Sequence, residues 1–302
     1  MGILWTDAAG TAMSWWRIVS EVSPRVVTTE AMREARIAVI GDAAMSQATI
    51  QMLCDSDSGS PYVTHFAEPP DAATARLYAF RLYVSAETSR LGMRDAASIS
   101  YSGTFETCAA RMMELRPDLA VALGRRFPGL RSAAATWIVK SVALANLQFA
   151  MLSAIPGILP ITAPFLPASS FADLIVLTKN QTMMVLRLGA IYGQRPGITT
   201  QVKEILSTVG AAFGWRTVAR QAAGWVPAGA GVVLKGVIAW SGTVAVGKVA
   251  EAYYIRGVKP AASDVQAASR EADSEAKEIA SSIADDLLGG KSHSDSNPSD
   301  DV

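Results

Sequence analysis

The spacing of apolar and polar positions divides the chain into a short part with strands and a longer helical part. Arg36-Ile37-Ala38-Val39-Ile40-Gly41 is a short apolar run, rich in β-branched residues, that ends at a glycine, which is typical of a buried strand. Similar runs predict three more strands, followed by a helix over 104–115. The four predicted strands are residues 36–41, 62–66, 77–84 and 98–101. Because strands alternate with helical segments, residues 35–117 are predicted to form a small α/β domain with a mainly parallel sheet.

The first 34 residues have the spacing of an amphipathic helix, predicted over 3–34. Its apolar face comprises Leu4, Trp5, Met13, Trp15, Trp16, Ile18, Val19 and Val22. Trp15 and Trp16, next to Arg17, suit the head-group level of a bilayer. They equally suit packing onto the body of the protein, which is the commoner role of an aromatic stripe. The start of the chain lacks the basic region and the cleavage site of a signal peptide.

Helical periodicity dominates residues 118–257, and no charged residue occurs between Ser141 and Ala172. Four prolines interrupt this apolar stretch, at positions 156, 160, 164 and 167. Proline removes an amide donor and clashes with the preceding helical turn, so the stretch is predicted to be a proline-broken hairpin. Basic residues flank both ends, which favours a re-entrant hairpin with both ends on the cytoplasmic side over a single crossing. The alternative is a buried helical core of a soluble protein.

A second apolar region, Gly224 to Tyr254, is rich in glycine and interrupted by Lys235 and Lys248. Small residues allow helices to approach closely, in bilayers and in soluble bundles alike. From Val258 onward the chain becomes polar and acidic. Residues 258–302 are predicted to comprise a polar helix over 265–288 and a disordered tail after Gly289.

Composition adds one asymmetry to this picture. The chain has 302 residues, of which 50% are hydrophobic and 18% are charged, with 27 bases against 27 acids. Residues 261–302 contain ten acids and three bases, so this segment carries −7 and the rest of the chain +7. A basic body suits an anionic partner, and lipid head groups are favoured over nucleic acid because no basic run contains interleaved aromatic residues. Two cysteines are too few for a disulfide framework, which fits a reducing compartment.

Two stretches imitate a phosphate-binding loop without its chemistry. Gly41–Thr49 follows a strand and opens a helix, but it has Ser46, Gln47 and Ala48 where the loop needs Gly, Lys and Ser or Thr. Gly242–Lys248 matches better, but Val249 replaces the magnesium ligand and no strand precedes it. We therefore expect no nucleotide to bind at either stretch.

No catalytic, cofactor-binding or metal-ligating residue is predicted. The sequence has no G-x-S-x-G elbow, no H-E-x-x-H and no paired C-x-x-C. Cys54 and Cys108 are interpreted as small buried hydrophobic residues, and His65 as a satisfied or surface histidine. In the helical stretch 173–193, Asp173, Asn180, Gln181 and Met184 fall near one side. We interpret them as partners for neighbouring helices, with a site lining as the alternative.

Several blocks of the helical part, in order, resemble a domain of unknown function in YcjF-like bacterial inner-membrane proteins. The blocks are Ile155–Gly157, Leu177–Gln181, Met184–Leu188, Ile191–Gly193, Lys203–Leu206, Phe213–Gln221, Val226–Pro227 and Ser241–Gly247. The resemblance covers about residues 119–257. Leu174 and Ile175 depart from it, since many relatives have a proline soon after the aspartate at position 173. It implies membrane association and a partnership with, or descent from, Era-like GTPases, and it implies no enzymatic activity.

Together these observations predict an α+β, mostly α protein. A small degenerate Rossmann-like, GTPase-derived α/β domain without an Asn-Lys-x-Asp motif is followed by a helical domain with an apolar proline-broken hairpin. The expected function is a non-catalytic membrane scaffold or interaction protein on the cytoplasmic face of the inner membrane. Its expected partners are membrane lipid and either a GTPase or a second copy of itself, with no nucleic acid, substrate, cofactor or metal. The alternative is a soluble cytoplasmic regulator of a separate active GTPase, with the apolar helices as its internal core.

Overall fold

The computed structural model of the chain describes residues 23–55, 60–85, 97–101, 103–153, 166–195, 231–258 and 260–289. It is mostly helical and contains one small parallel four-stranded sheet, in agreement with the predicted α+β, mostly α class. The chain divides into two compact units. The sheet unit comprises Val22–Val139 and Met183–Thr199, and the helical unit comprises Met1–Glu21, Lys140–Thr182 and Thr200–Val302. Each unit is built from separate segments of the chain, so this division does not test the predicted domain limits at 34, 117 and 257. Those limits stay predictions.

The elements follow one another in a simple order. In the sheet unit they are α1 (Pro24–Met32), β1 (Ile37–Ile40), α2 (Ala43–Cys54), β2 (Val63–Phe66), α3 (Ala72–Ala75), β3 (Phe80–Tyr83), β4 (Ser98–Ser100), α4 (Phe105–Leu115) and α5 (Ala120–Arg126), with 3₁₀ turns at Pro117–Leu119 and Pro128–Leu130. Two long helices, α6 (Arg131–Ser153) and α7 (Leu166–Ile191), contribute to both units. The helical unit also contains α8 (Gly231–Arg256) and α9 (Ala262–Gly289).

The sheet has the order β2-β1-β3-β4, and every pair of neighbouring strands is parallel. In the register, Ile37 lies opposite Val63 on one side and Phe80 on the other, and Leu82 lies opposite Ile99. All four residues of β1 are buried, which explains the continuous apolar run in the sequence. The predicted parallel sheet is confirmed.

Two predicted elements have different limits in the structure. The strand predicted over 77–84 begins only at Phe80, because the Leu77 amide donates to Thr74 O (3.0 Å) in the turn after α3 and the Leu77 side chain is exposed. The helix predicted over 3–34 is not continuous, because Ser23 is extended (ψ 105°) and α1 starts at Pro24. The residue before a proline is sterically disfavoured in helical geometry, so the break is local in origin.

Three helical predictions are confirmed. Helix α4 matches the predicted 104–115, and the Thr104 hydroxyl accepts a hydrogen bond from the Thr107 amide (3.3 Å) as its N-cap. Helix α9 covers the predicted polar helix over 265–288. Helix α8 occupies most of the glycine-rich apolar region. There a Cβ added at Gly236 would lie 2.6 Å from Met151 Cγ, so the glycine permits close packing of α8 on α6.

Helices α8 and α9 run antiparallel through the helical unit. Arg256 near the end of α8 pairs with Asp264 near the start of α9, and Ser241 further back in α8 bonds to Asp273. Along its length α8 buries Val237, Val244 and Ala245 among other apolar side chains. It is therefore a core helix of this unit.

Several predictions concern residues outside the described ranges. These are the tryptophan pair at 15–16, the prolines at 156, 160 and 164, and the tail after Gly289. Pro167 is the second residue of α7, where the missing amide donor removes no helical hydrogen bond.

Candidate functional site

The loop after β1 keeps the backbone geometry of a tight strand-to-helix turn. Gly41 has φ 138°, a conformation that side-chain-bearing residues rarely adopt. Its amide donates to Phe66 O (2.9 Å), and its carbonyl lies 2.9 Å from His65 Nε2. The amide and the carbonyl of Gly41 thus both bond to β2 and hold the loop against it. The His65 side chain has a hydrogen-bond partner, as predicted.

Asp42 occupies the position where a bound phosphate would meet the start of α2. Its Oδ1 accepts hydrogen bonds from the amides of Ala44 (2.9 Å) and Met45 (3.1 Å). Helix N-termini bind phosphate through these free amides and the positive end of the helix dipole. In this loop the carboxylate already uses the amides and adds a negative charge, so the local geometry opposes an anion. Gln47, at the position of the phosphate-binding lysine, is exposed.

The second loop-like sequence, Gly242–Lys248, lies in the middle of α8. Its backbone amides belong to the helix and are not free to surround a phosphate. The Thr243 hydroxyl donates to Ala239 O (2.7 Å), and Lys248 pairs with Glu271 and with Glu275, whose Oε1 lies 3.4 Å from Nζ. The match to a phosphate loop is therefore a coincidence of sequence.

A chain of buried and half-buried polar side chains joins three helices of the helical unit. Asn180 on α7 donates from Nδ2 to Asn146 Oδ1 on α6 (2.7 Å), and Asn146 Nδ2 donates to Thr243 Oγ1 on α8 (2.9 Å). Gln181 Nε2 approaches the same hydroxyl at 3.4 Å. Asn146 and Thr243 are fully buried. Asn180 and Gln181 are therefore partners for neighbouring helices, as predicted, and we name these four residues the amide cluster.

Sequence reasoning found two members of the amide cluster and missed the other two. Asn146 gave little signal, because the apolar run Val142–Leu152 contains a second polar residue, Gln148, and only the structure shows that Asn146 is buried and Gln148 exposed. Thr243 gave none, because threonine is common in apolar helices. Of the two other residues predicted on the same side of α7, Met184 is buried, and Asp173 falls where no side chains are described.

Two helices are long and apolar enough to cross a membrane, by length and composition among the described residues: Pro128–Ser153 and Val232–Arg256. Their surroundings differ from those of a lipid-exposed span. The second, within α8, has carboxylates of α9 along its middle, with Asp273 Oδ1 2.7 Å from Ser241 Oγ and Glu271 paired with Lys248. The first comprises the 3₁₀ turn at Pro128–Leu130 and α6, and it exposes Lys140 near its midpoint. A charged group at the bilayer centre is costly, so these neighbours favour α8 as a protein core.

The end of α6 presents apolar side chains to solvent. Leu144 is 47% exposed and Leu152 is 51% exposed, and both precede the uncharged segment that leads to α7. At this end of α6, Lys235 Nζ contacts Ser153 Oγ (2.7 Å). Exposed leucines beside a charge-free segment form a surface suited to lipid or to another apolar partner.

The two cysteines are the nucleophilic candidates among the described residues, and burial makes both unreactive. Both cysteines are buried, as predicted, and burial raises the pKa of the Cys108 thiol to about 11 and also raises the pKa of Cys54. Such thiols stay protonated at neutral pH and are poor nucleophiles. Within the described ranges, no three histidine, cysteine or acidic side chains come together in a way that would hold a metal ion.

Comparison with protein-family models, with curated proteins and with solved structures gives no significant match. The resemblance to YcjF-like proteins therefore stays a prediction.

Proposed function

We propose that this protein is a non-catalytic, membrane-associated interaction protein on the cytoplasmic face of a bacterial inner membrane. The segment between α6 and α7 is its membrane-contacting element. The observation that carries this proposal is the uncharged stretch between Ser141 and Ala172, which contains the exposed Leu144 and Leu152. A hairpin that enters one leaflet buries such residues without placing a charge in the hydrocarbon region.

The proposal assigns α8 to the protein interior and not to the bilayer. Helix α9 carries Glu271, Asp273 and Glu275 along α8, and these carboxylates cannot enter the hydrocarbon region with it. Attachment is therefore monotopic. The burial of α8 also supports a second candidate, a soluble cytoplasmic regulator whose apolar helices form its own core.

For the sheet unit we propose descent from a GTPase-like nucleotide-binding domain that no longer binds nucleotide. The strand order β2-β1-β3-β4 is the start of the order found in doubly wound folds, which supports this origin. The glycine turn at Gly41 and the following helix are retained, while Asp42 caps the amides that a phosphate needs. Such a domain serves contact with a partner, either an active GTPase or a second copy of the chain.

Membrane fractionation of the full chain, with a carbonate wash followed by detergent, tests the proposal. The wild-type protein should resist carbonate and be released by detergent. The double variant L144D/L152D should shift to the soluble fraction, since both side chains are exposed and the changes leave the core intact. M32D is the matched control, because Met32 is an exposed apolar residue of the sheet unit. A soluble wild type would favour the second candidate, and a double variant that sediments like the control would refute the role of the hairpin.

A further inference from the structure

The sheet unit contains a cleft at the amino ends of its central strands. Its volume is about 380 Å³, which suits a small ligand or a head group. It is lined by Glu34, Arg36, Arg76, Leu77, Tyr78, Ala79 and Arg116. Arg36 and Ala79 directly precede β1 and β3, and the Ala79 amide donates to Arg36 O (2.8 Å). Nucleotides bind doubly wound sheets at the opposite, carboxyl ends of the strands, so this cleft is not a remnant of a nucleotide site.

The cleft carries an excess of positive charge. Arg36 Nε pairs with Glu34 Oε1 (2.8 Å), and Arg116 forms a two-point bond with Asp118 (2.9 and 3.0 Å). Arg33 also approaches Asp118, at 3.5 Å. The Arg76 side chain is exposed and forms no hydrogen bond or ion pair with another described residue. Three guanidinium groups and one carboxylate therefore line the cleft, and the charge of Arg116 is offset by Asp118 next to it.

The turn that carries Arg76 is fixed by its own hydrogen bonds. Arg81 is buried and donates from Nη1 to Ala75 O (2.8 Å), directly before Arg76. On the other side, the Leu77 amide donates to Thr74 O (3.0 Å). The backbone that carries Arg76 is thus fixed at the edge of the cleft, and its exposed guanidinium has no partner among the described residues. Such a cation loses no existing bond when it binds a ligand.

We infer that this cleft binds a phosphate group, supplied either by a soluble phosphomonoester or inorganic phosphate, or by the head group of an anionic lipid. The planar guanidinium fork matches phosphate oxygens in pairs, whereas a lysine acts as a point charge. Every basic residue before Lys140 other than His65 is an arginine. The basic side chains around the cleft are therefore all guanidinium groups. Glu34 is mostly exposed and leaves Arg36 at little cost when an anion arrives. This inference does not depend on the proposed membrane attachment.

Titration calorimetry of the full chain with inorganic phosphate and with glycerol 3-phosphate tests the soluble source. R76Q should weaken binding about tenfold, the equivalent of one charge-assisted hydrogen bond, without lowering the unfolding midpoint. R76K, which keeps the charge and loses the fork, should fall between R76Q and the wild type. The control R111Q removes the same charge from the surface of α4, where Arg111 pairs with Glu114, and should bind like the wild type.

Vesicles test the lipid source. The measured quantity is the gain in binding when phosphatidylglycerol is added to phosphatidylcholine vesicles, which removes any contribution common to both lipids. If R76Q loses the phosphatidylglycerol-dependent gain in vesicle binding and R111Q keeps it, the lipid head group is the ligand. If R76Q loses affinity for soluble phosphate and R111Q keeps it, the free anion is the ligand. The inference is wrong if the wild type binds in neither arm, or if R76Q and R111Q behave alike.

Discussion

Arg187 and Glu30 form a two-point ion pair although they are 157 residues apart in the sequence. Arg187 Nε lies 2.8 Å from Glu30 Oε2, and Nη2 lies 2.7 Å from Oε1. Both side chains are mostly buried, and the pair fastens the last part of α7 to α1 within the sheet unit. The chain between them includes the whole of the sheet, so this single contact closes a large loop.

Breaking that pair should destabilise the protein more than breaking a surface pair. E30Q leaves a largely buried guanidinium without its carboxylate, and we expect a loss of about 2–3 kcal/mol in the free energy of unfolding. R111Q, which breaks the exposed pair with Glu114, should cost less than about 0.5 kcal/mol. Urea unfolding of both variants measures the difference. Equal losses would contradict a special role for the Arg187–Glu30 pair.

The amide cluster should behave as one unit. N146L removes the acceptor of Asn180 and the donor to Thr243 together, and each buried polar group left unpaired costs about 1–3 kcal/mol. The triple variant N146L/N180L/T243V removes the polar groups themselves and should recover much of the loss. Thermal unfolding of the single, double and triple variants checks this non-additivity. Strictly additive losses would show that the three substituted residues act independently.

The loop at Gly41 should not bind nucleotide, and Asp42 is one local reason. Calorimetry of the wild type with GTP and with ATP should show no micromolar affinity. D42A should lose about 1 kcal/mol of stability because the cap on α2 is removed, and it should still fail to bind, since Gln47 and Ala48 supply neither the cation nor the metal ligand. Micromolar binding by the wild type would overturn the proposed loss of nucleotide chemistry.

Burial of Cys108 predicts an alkaline loss of stability. Its thiol has a pKa of about 11 in the folded protein, raised by desolvation from an ordinary value near 9. The folded state therefore holds its proton more tightly, so the stabilising contribution is complete below about pH 9 and declines as the pH rises toward about 11. The decline amounts to about 2–3 kcal/mol.

The variant C108A isolates this effect, because it should lack the part of the alkaline decline that the thiol causes. Urea unfolding between about pH 8 and about pH 11, a range that includes the unfolded and folded pKa values of the thiol, measures the decline. Identical pH dependence in C108A and the wild type would show that the thiol is not the cause. At neutral pH the native thiol should also resist Ellman's reagent until the protein is unfolded.

Local sequence patterns predicted most of the helices and strands. The features they did not predict depend on contacts between residues that are distant in the sequence. The apolar run at 37–40 marks a buried strand whatever its neighbours are, and Thr104 caps α4 through its own turn. The strand prediction started too early at Leu77, which lines the cleft and is exposed. In the sequence, an apolar residue at the rim of a cleft cannot be distinguished from the first apolar residue of a strand.

The sequence did not show which residues the candidate residues contact in the fold. Asn180 indicated a buried polar contact, but nothing in the sequence pointed to Asn146 and Thr243 as its partners. The arginine cleft brings together positions 36, 76 and 116, which only the folding of the sheet unit makes neighbours. The packing of α9 on α8 could not be predicted from the sequence either, because an acidic helix usually faces solvent on most sides.

That covering has a consequence for how the protein is made. During synthesis α8 is complete before α9 exists, because α9 follows it in the chain. For that interval the growing polypeptide displays an apolar helix of membrane-crossing length whose acidic cover has not yet left the ribosome. A chain cut short after Arg256 would lack that acidic cover permanently, and the side of α8 that α9 buries would stay exposed to the membrane-insertion machinery.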